Sequence, residues 1–201
     1  MGQCQSEEEK ALAMKTQSID QEIRQTRSEN EKIIKLLLLG TDECGKSTIL
    51  KQMKILHDNG FTEEEKSLQK CVVYKIVIDS MITILVGMKM LQIQFEDMSL
   101  EKEAKIVYEF AQSRQLDTYE RIYPELCDAL KNLWNDEEVC TKAIELANEY
   151  QLPECASYFL NSVERITQPD YKPTEQDILL SHKQTTGIVE VKFRMKGKDF
   201  Q

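Results

Sequence analysis

Breaker residues are scarce in this chain. Its 201 residues include 7 glycines and 4 prolines, and no proline stands before Pro124. A sandwich of short strands needs more turn formers than that, so long helices are expected instead. Zinc ligands are thin as well. The six cysteines (Cys4, Cys44, Cys71, Cys127, Cys140, Cys155) contain no C-x-x-C pair, and His57 and His182 stand alone, which excludes the usual zinc spacings. No secretory signal is expected at the start, because Glu7-Glu8-Glu9 sits where an apolar core would be needed. Free thiols in a reducing cytosol are expected. Positive charge is also short: 26 Lys and Arg against 35 Asp and Glu leave a net −9. Without a basic face, no nucleic-acid partner is expected. Against these absences stands one abundance, the apolar stretch from Val72 to Leu91. It carries Lys75, Asp79 and Lys89, so it reads as a buried helix and not as a membrane span. The length allows one large domain or two modest ones.

Spacing predicts the elements. Ser6-x-x-Glu9 is a capping box that opens a helix from Glu7 to about Asn30. Its apolar positions, Leu12, Ile19 and Ile23, are sparse, so it lies in solvent or lends a narrow stripe to a partner. The run Ile33 to Leu39 stops at Gly40 and reads as a fully buried parallel strand. Gly45 to His57 reads as a helix with Ile49, Leu50, Met53 and Leu56 on one face. Thr62-x-x-Glu65 is a second capping box. It starts a helix of about eight turns, with Leu68, Cys71, Val72, Ile76, Met81, Leu85 and Met88 on its apolar stripe. Further helices are expected at about Leu100 to Gln112, Tyr123 to Trp134, Glu137 to Tyr150, Pro153 to Ile166, and a short one from Pro173. Together they describe an all-helical domain around one long central helix. After His182 the texture changes: Thr185-Thr186-Gly187 reads as loop, Ile188 to Met195 as a strand, and Lys196-Gly197-Lys198 as a turn back.

Gly40-Thr41-Asp42-Glu43-Cys44-Gly45-Lys46-Ser47 fits G-x-x-x-x-G-K-[ST], between a predicted strand and a predicted helix. Such a loop wraps backbone N–H groups around phosphate oxygens, and the helix N-terminus adds partial positive charge. Lys46 then reaches the β- and γ-phosphates, and the Ser47 hydroxyl ligates Mg²⁺. The start, Met1-Gly2-Gln3-Cys4-Gln5-Ser6, fits the N-myristoylation pattern at Gly2, with Cys4 placed for palmitoylation. One acyl chain holds a membrane weakly, and a second makes the anchor stable.

The segments Lys35 to Gly40, Gly45 to His57 (GKSTILKQMKILH), Tyr158 to Asp177 (YFLNSVERITQPDYKPTEQD) and Thr185 to Glu190 (TTGIVE) carry a resemblance over essentially the whole chain. It resembles the N-terminal portion of a heterotrimeric G-protein α subunit, ending before the second switch. The resemblance implies a mainly α fold: an all-helical inserted domain at 61–177, and an incomplete P-loop (Ras-like) α/β nucleotide-binding domain at 32–60 and 178–201. An N-terminal helix within 1–31 precedes them. It implies that GTP or GDP is held by Gly40, Thr41, Asp42, Glu43, Cys44, Gly45, Lys46, Ser47 and Thr48, with Cys155, Leu179, Leu180 and Thr185, and that Mg²⁺ is held by Ser47 and Thr185. It also implies βγ subunits as partners of residues 7–30, receptor coupling, and a lipidated N-terminus on the cytoplasmic face of the plasma membrane.

Several positions depart from the family pattern. His182 stands where the family carries its catalytic arginine, so no residue is assigned as catalytic. A histidine is mostly neutral near pH 7 and lacks the bidentate fork. Glu43, which can pair with that arginine, loses its partner. Asp42 replaces a glycine, adding bulk and negative charge beside phosphate. Cys44 and Cys155 stand for serines, Glu154 for an aspartate and Leu180 for an arginine. The family's D-x-x-G-Q switch, its guanine-reading N-K-x-D and its receptor-binding C-terminal helix are not within the 201 residues. The expectation is a GTP-binding, membrane-associated transducer that is hydrolysis-deficient as this chain stands. The competing expectation is a non-enzymatic, lipid-anchored interaction protein, and an unrelated P-loop kinase or ATPase is the remote third. Leu36 to Leu39 would also lack strand neighbours, leaving an apolar edge.

Overall fold

The computed structural model describes residues 7–41, 44–112, 122–181 and 189–201. They fall into two compact units, one drawn from Met1–Asn59 with Gly187–Gln201, the other from Gly60–Thr186.

In the first unit, α1 runs Glu7–Asn30 and α2 Lys46–His57. Two short strands, β1 (Phe193–Met195) and β2 (Lys198–Phe200), form an antiparallel hairpin in which Phe193 faces Phe200. Lys196 and Gly197 turn the chain at φ 51° and 75°, the left-handed pair that suits the twist of a two-residue hairpin. The apolar run of residues 33–39 pairs in parallel with this hairpin through one bridge, Ile34 to Phe200. Its bonds are Ile34 N–H to Asp199 O at 2.9 Å, Leu36 N–H to Gln201 O at 2.9 Å, and Gln201 N–H to Ile34 O at 3.0 Å. His57 stacks on Phe193, and Phe193 on Phe200, at 5.3 and 5.1 Å between ring centroids.

The fully buried strand expected at residues 33–39 is corrected by this arrangement. Leu36 is 56% exposed, and Leu37 and Leu39 are each 81% exposed. One strand pairs along one edge, and no second layer among the described residues covers its faces. The strand expected from Ile188 shortens to Phe193–Met195, and Ile188 lies outside the described residues.

All elements of the second unit are helical among the described residues. Thr62 opens α3 (Glu63–Leu91) with the expected capping box: its hydroxyl accepts from Glu65 N–H at 3.2 Å, and the Glu65 carboxylate accepts from Thr62 N–H at 2.9 Å. By length and composition α3 could cross a membrane, yet 56% of its most apolar window is buried inside the protein. It is packed by α4 (Glu101–Gln112), α6 (Ala156–Asn161), α8 (Glu175–Leu180) and the irregular turns between residues 138 and 150. α4 also packs on α5 (Pro124–Asn135), and α5 on α7 (Val163–Ile166). The buried stripe of α3 is Val73, Val77, Met81, Ile84 and Met88, with Tyr74, Ile78 and Leu85 beside it. This corrects the first half of the expected stripe, since Leu68 is 72% exposed and Cys71, Val72 and Ile76 are half-buried, while Met81, Leu85 and Met88 are buried as expected. A helix this apolar offers more than one stripe with helical spacing, so periodicity cannot choose among them.

Two expected helices break. Glu137 to Tyr150 resolves into a π-helical turn, Glu138–Ala143, and a 3₁₀ turn, Ala147–Tyr150, closed by Gln151 at φ 56°. The Tyr150 hydroxyl donates to the Ala143 carbonyl. The Tyr150 ring lies flat on Gly87, where a Cβ would stand 2.5 Å from ring carbon Cδ1. Pro153 to Ile166 becomes α6 and α7, divided at Ser162. Asp136, 6% exposed, binds the turn to the preceding loop. Its Oδ2 accepts from Glu96 and Asp97 N–H at 2.9 and 3.2 Å, and its Oδ1 from Glu138 and Val139 N–H at 3.1 and 3.3 Å.

Candidate phosphate-binding site

The glycine-rich loop leads directly into α2. Gly45 takes φ 85°, ψ 6°, a left-handed conformation that glycine adopts without strain. It precedes the first helical turn, and its carbonyl accepts from Ile49 N–H at 3.0 Å. Among the described residues no side chain caps this helix end, and no acidic residue stands in its first turn. The orphan N–H groups and the positive end of the dipole are thus available to an anion.

Lys46 arches over the loop. Its ammonium donates to the Gly40 carbonyl at 2.9 Å and to the Thr41 carbonyl, and lies 3.4 Å from Cys44 Sγ. A Cβ on Gly40 would meet that sulfur at 2.4 Å, so a side chain there would make the Cys44 thiol turn away. Ser47 and Thr48 follow, both half-buried. The donor set fits a phosphate: backbone N–H groups, one ammonium and two hydroxyls. A hydroxyl such as Ser47 is also the hard oxygen ligand that Mg²⁺ prefers.

Of the predicted site residues, Gly40, Thr41, Cys44, Gly45, Lys46, Ser47 and Thr48 are brought together in the first unit. Cys155, Leu179 and Leu180 belong to the second. Cys155 and Leu180 are half-buried against its core, and burial pushes the Cys155 thiol upward. Leu179 is half-buried in the last turn of α8. Gly2, Cys4, Asp42, Glu43, His182 and Thr185 lie outside the described residues, as does the capping box at Ser6.

Sequence reasoning missed a polar knot at the start of α8. Asp177 is fully buried and accepts from the Tyr158 hydroxyl (2.8 Å), the Tyr171 hydroxyl (2.9 Å), the Thr174 N–H (2.9 Å) and both terminal nitrogens of Arg165 (2.8 Å each). Burial would raise its carboxyl. The Arg165 guanidinium and the other donors outweigh that and hold it well below the usual carboxylate range. The available signal was Thr174-x-x-Asp177, a capping box with aspartate at its third position, and both of its bonds form. Ser181, just beyond α8, is fully buried and donates to the Gln69 side chain of α3 at 3.2 Å.

Comparison with known proteins gives these elements a context. A family model described as G-protein alpha subunit matches residues 13–201. The guanine nucleotide-binding protein alpha-3 subunit of Caenorhabditis elegans is 50% identical over 202 aligned residues, which cover all of this chain and 56% of that protein. The alpha-17 subunit of the same organism is 43% identical with the same coverage. The G(o) subunit alpha of Lymnaea stagnalis is 44% identical over 201 residues, again 56% of its length. The chain spans a little over half the length of the curated relatives it matches.

Proposed function

The chain belongs to the G-protein alpha subunit family, and on that premise we propose that it binds a guanine nucleotide at the 40–48 loop and acts as a membrane-associated transducer in receptor signalling. The observation that carries the reading is the left-handed Gly45 ahead of an uncapped helix, with Lys46 drawn over Gly40 and Thr41. Phosphate oxygens take the place of those carbonyls as partners of the lysine and meet the free N–H groups of α2. Mg²⁺ would be held by Ser47 and Thr185, where it neutralises phosphate charge. Cys155, Leu179 and Leu180 would supply contacts from the residues 61–177 and their exit, read as a helical domain inserted into 32–60 and 178–201.

The remaining parts follow the family. Gly2 and Cys4 would carry the lipids that hold the chain at the cytoplasmic face of the plasma membrane, and residues 7–30 would meet βγ subunits. The described part of α1 suits docking, since Leu12, Ile19 and Ile23 are 71, 47 and 59% exposed. Hydrolysis is proposed to be deficient because Asp42 crowds and repels the phosphate while His182 supplies no guanidinium. A second reading, a lipid-anchored interaction protein without nucleotide, draws on the same exposed stripe.

One experiment separates the two. The 201-residue chain is titrated with a fluorescent GTP analogue, with and without Mg²⁺, beside a Lys46→Ala variant. Mg²⁺-dependent binding at micromolar concentrations that Lys46→Ala abolishes supports the first reading. Absence of binding by the unmutated chain, with βγ still captured, gives the protein to the second.

A further inference from the structure

The first two turns of α3 set Glu63, Lys66, Ser67 and Lys70 on one helix face. The segment 169–173 lies against that face, and a cleft of about 280 Å³ opens between them. Lysines outnumber carboxylates on its walls by three to two, Lys66, Lys70 and Lys172 against Glu63 and Asp170. This occurs on a chain that carries −9 overall, so the cleft is a local reversal of sign.

The three ammonium groups are differently placed. Glu63 bridges two of them, at 3.1 Å to Lys66 and 2.8 Å to Lys172. Lys70 is half-buried, and its ammonium has aromatic faces instead of a carboxylate: it lies 5.5 Å from the Tyr74 centroid and 6.0 Å from that of Tyr171. No carboxylate pairs with it among the described residues. A partly desolvated cation of this kind favours an incoming anion more than a fully hydrated one does. The floor beneath it is fixed. Tyr171 is 5% exposed, its hydroxyl is bound to Asp177, and the Arg165 guanidinium sits 5.6 Å from its ring. Pro169 and Pro173 stiffen the two ends of the segment.

We infer that this cleft binds a phosphomonoester, with Lys66, Lys70 and Lys172 as its cations and the Ser67 hydroxyl as a neutral donor. A dianion suits a cleft lined by three lysines, of which Glu63 pairs with two and leaves Lys70 without a carboxylate. The volume lies just under the range of about 300–1,000 Å³ for pockets that enclose drug-sized ligands. That size suits a single phosphorylated ring or headgroup. The same chemistry is offered by a soluble inositol phosphate and by a phosphoinositide in a membrane.

The test uses the full chain and keeps this cleft apart from the 40–48 loop. Inositol 1,4,5-trisphosphate is titrated calorimetrically into wild type, Lys46→Ala, Lys70→Gln, Lys172→Gln and Glu63→Gln, each checked for folding by circular dichroism. Sedimentation is measured with phosphatidylcholine vesicles with and without phosphatidylinositol bisphosphate. Binding is expected to survive Lys46→Ala, to weaken at least about tenfold in Lys70→Gln and in Lys172→Gln, and to tighten in Glu63→Gln, where a competing anion is removed. Retention in Lys70→Arg shows that the charge matters and not the packing. Binding to the soluble phosphate identifies a soluble source; binding confined to the phosphoinositide vesicles identifies a membrane source. Binding lost in Lys46→Ala alone, equal binding by wild type and both glutamine variants, or no binding to either probe overturns the inference.

Discussion

Arg165 grips Asp177 through both carboxylate oxygens, Nη1 to Oδ2 and Nη2 to Oδ1, each at 2.8 Å. The aspartate is fully buried while the arginine side chain is 42% exposed. Removing the aspartate therefore leaves a cation that can still reach water. Asp177→Ala is expected to cost about 3 kcal/mol, the low end for a broken buried pair. The carboxyl is held below its ordinary value in the folded state, so the unfolded chain binds more protons across the window between the two values. Stability from this residue is fully present above about pH 4 and is lost as pH falls through the folded value. Urea midpoints measured down the acid limb should fall for wild type and stay flatter for Asp177→Asn.

Gly87 and Tyr150 give a prediction whose sign depends on the neighbour. A Cβ at 87 would stand 2.5, 2.6 and 2.8 Å from three ring carbons, and the ring is tied by its hydroxyl to Ala143. Alanine gains about 1 kcal/mol in helix propensity over glycine, but overpacking costs about 1–3 kcal/mol. Gly87→Ala is expected to lower the urea midpoint in the wild-type chain. In a Tyr150→Ala background, the same substitution is expected to raise it.

Hydrolysis should be no faster than buffer background in single-turnover assays of the 201-residue chain. For nucleotide hydrolases of this family an arginine supplied in cis or in trans is credited with about 10³–10⁵ in rate, a value that belongs to the family and was not obtained from this chain. His182→Arg alone should restore nothing, because an aspartate in place of the family's glycine at position 42 would still oppose the reaction by the reading proposed above. Detectable turnover in the unmutated chain, or in His182→Arg by itself, would contradict this account.

What could be read from the sequence was what depends on neighbours along the chain. The Thr62 cap needs only a residue three positions on. The proposed phosphate loop is a local motif too: Gly45 takes the left-handed turn ahead of α2, and Lys46 reaches back to Gly40. The long helix was legible, but not the face it buries, because α3 is apolar on several sides and its neighbours decide. The break between Ala143 and Ala147 was not legible, since spacing along the chain does not show Tyr150 meeting Gly87 of α3. The exposure of Leu37 and Leu39 was half legible: the apolar run by itself reads as a buried strand, but the want of strand neighbours for Leu36 to Leu39 reads as an open apolar edge, and the edge is what the structure has. The Asp177 knot was hidden because its donors, Tyr158, Arg165 and Tyr171, follow no short spacing.

Asp136 gathers four backbone N–H groups from two separate stretches onto one carboxylate. None of the four can be released singly without leaving a buried charge under-satisfied. The amides of Glu96, Asp97, Glu138 and Val139 should therefore exchange with deuterium at a common rate, as one cooperative opening. In Asp136→Asn that shared rate should split, the two stretches then opening on their own clocks.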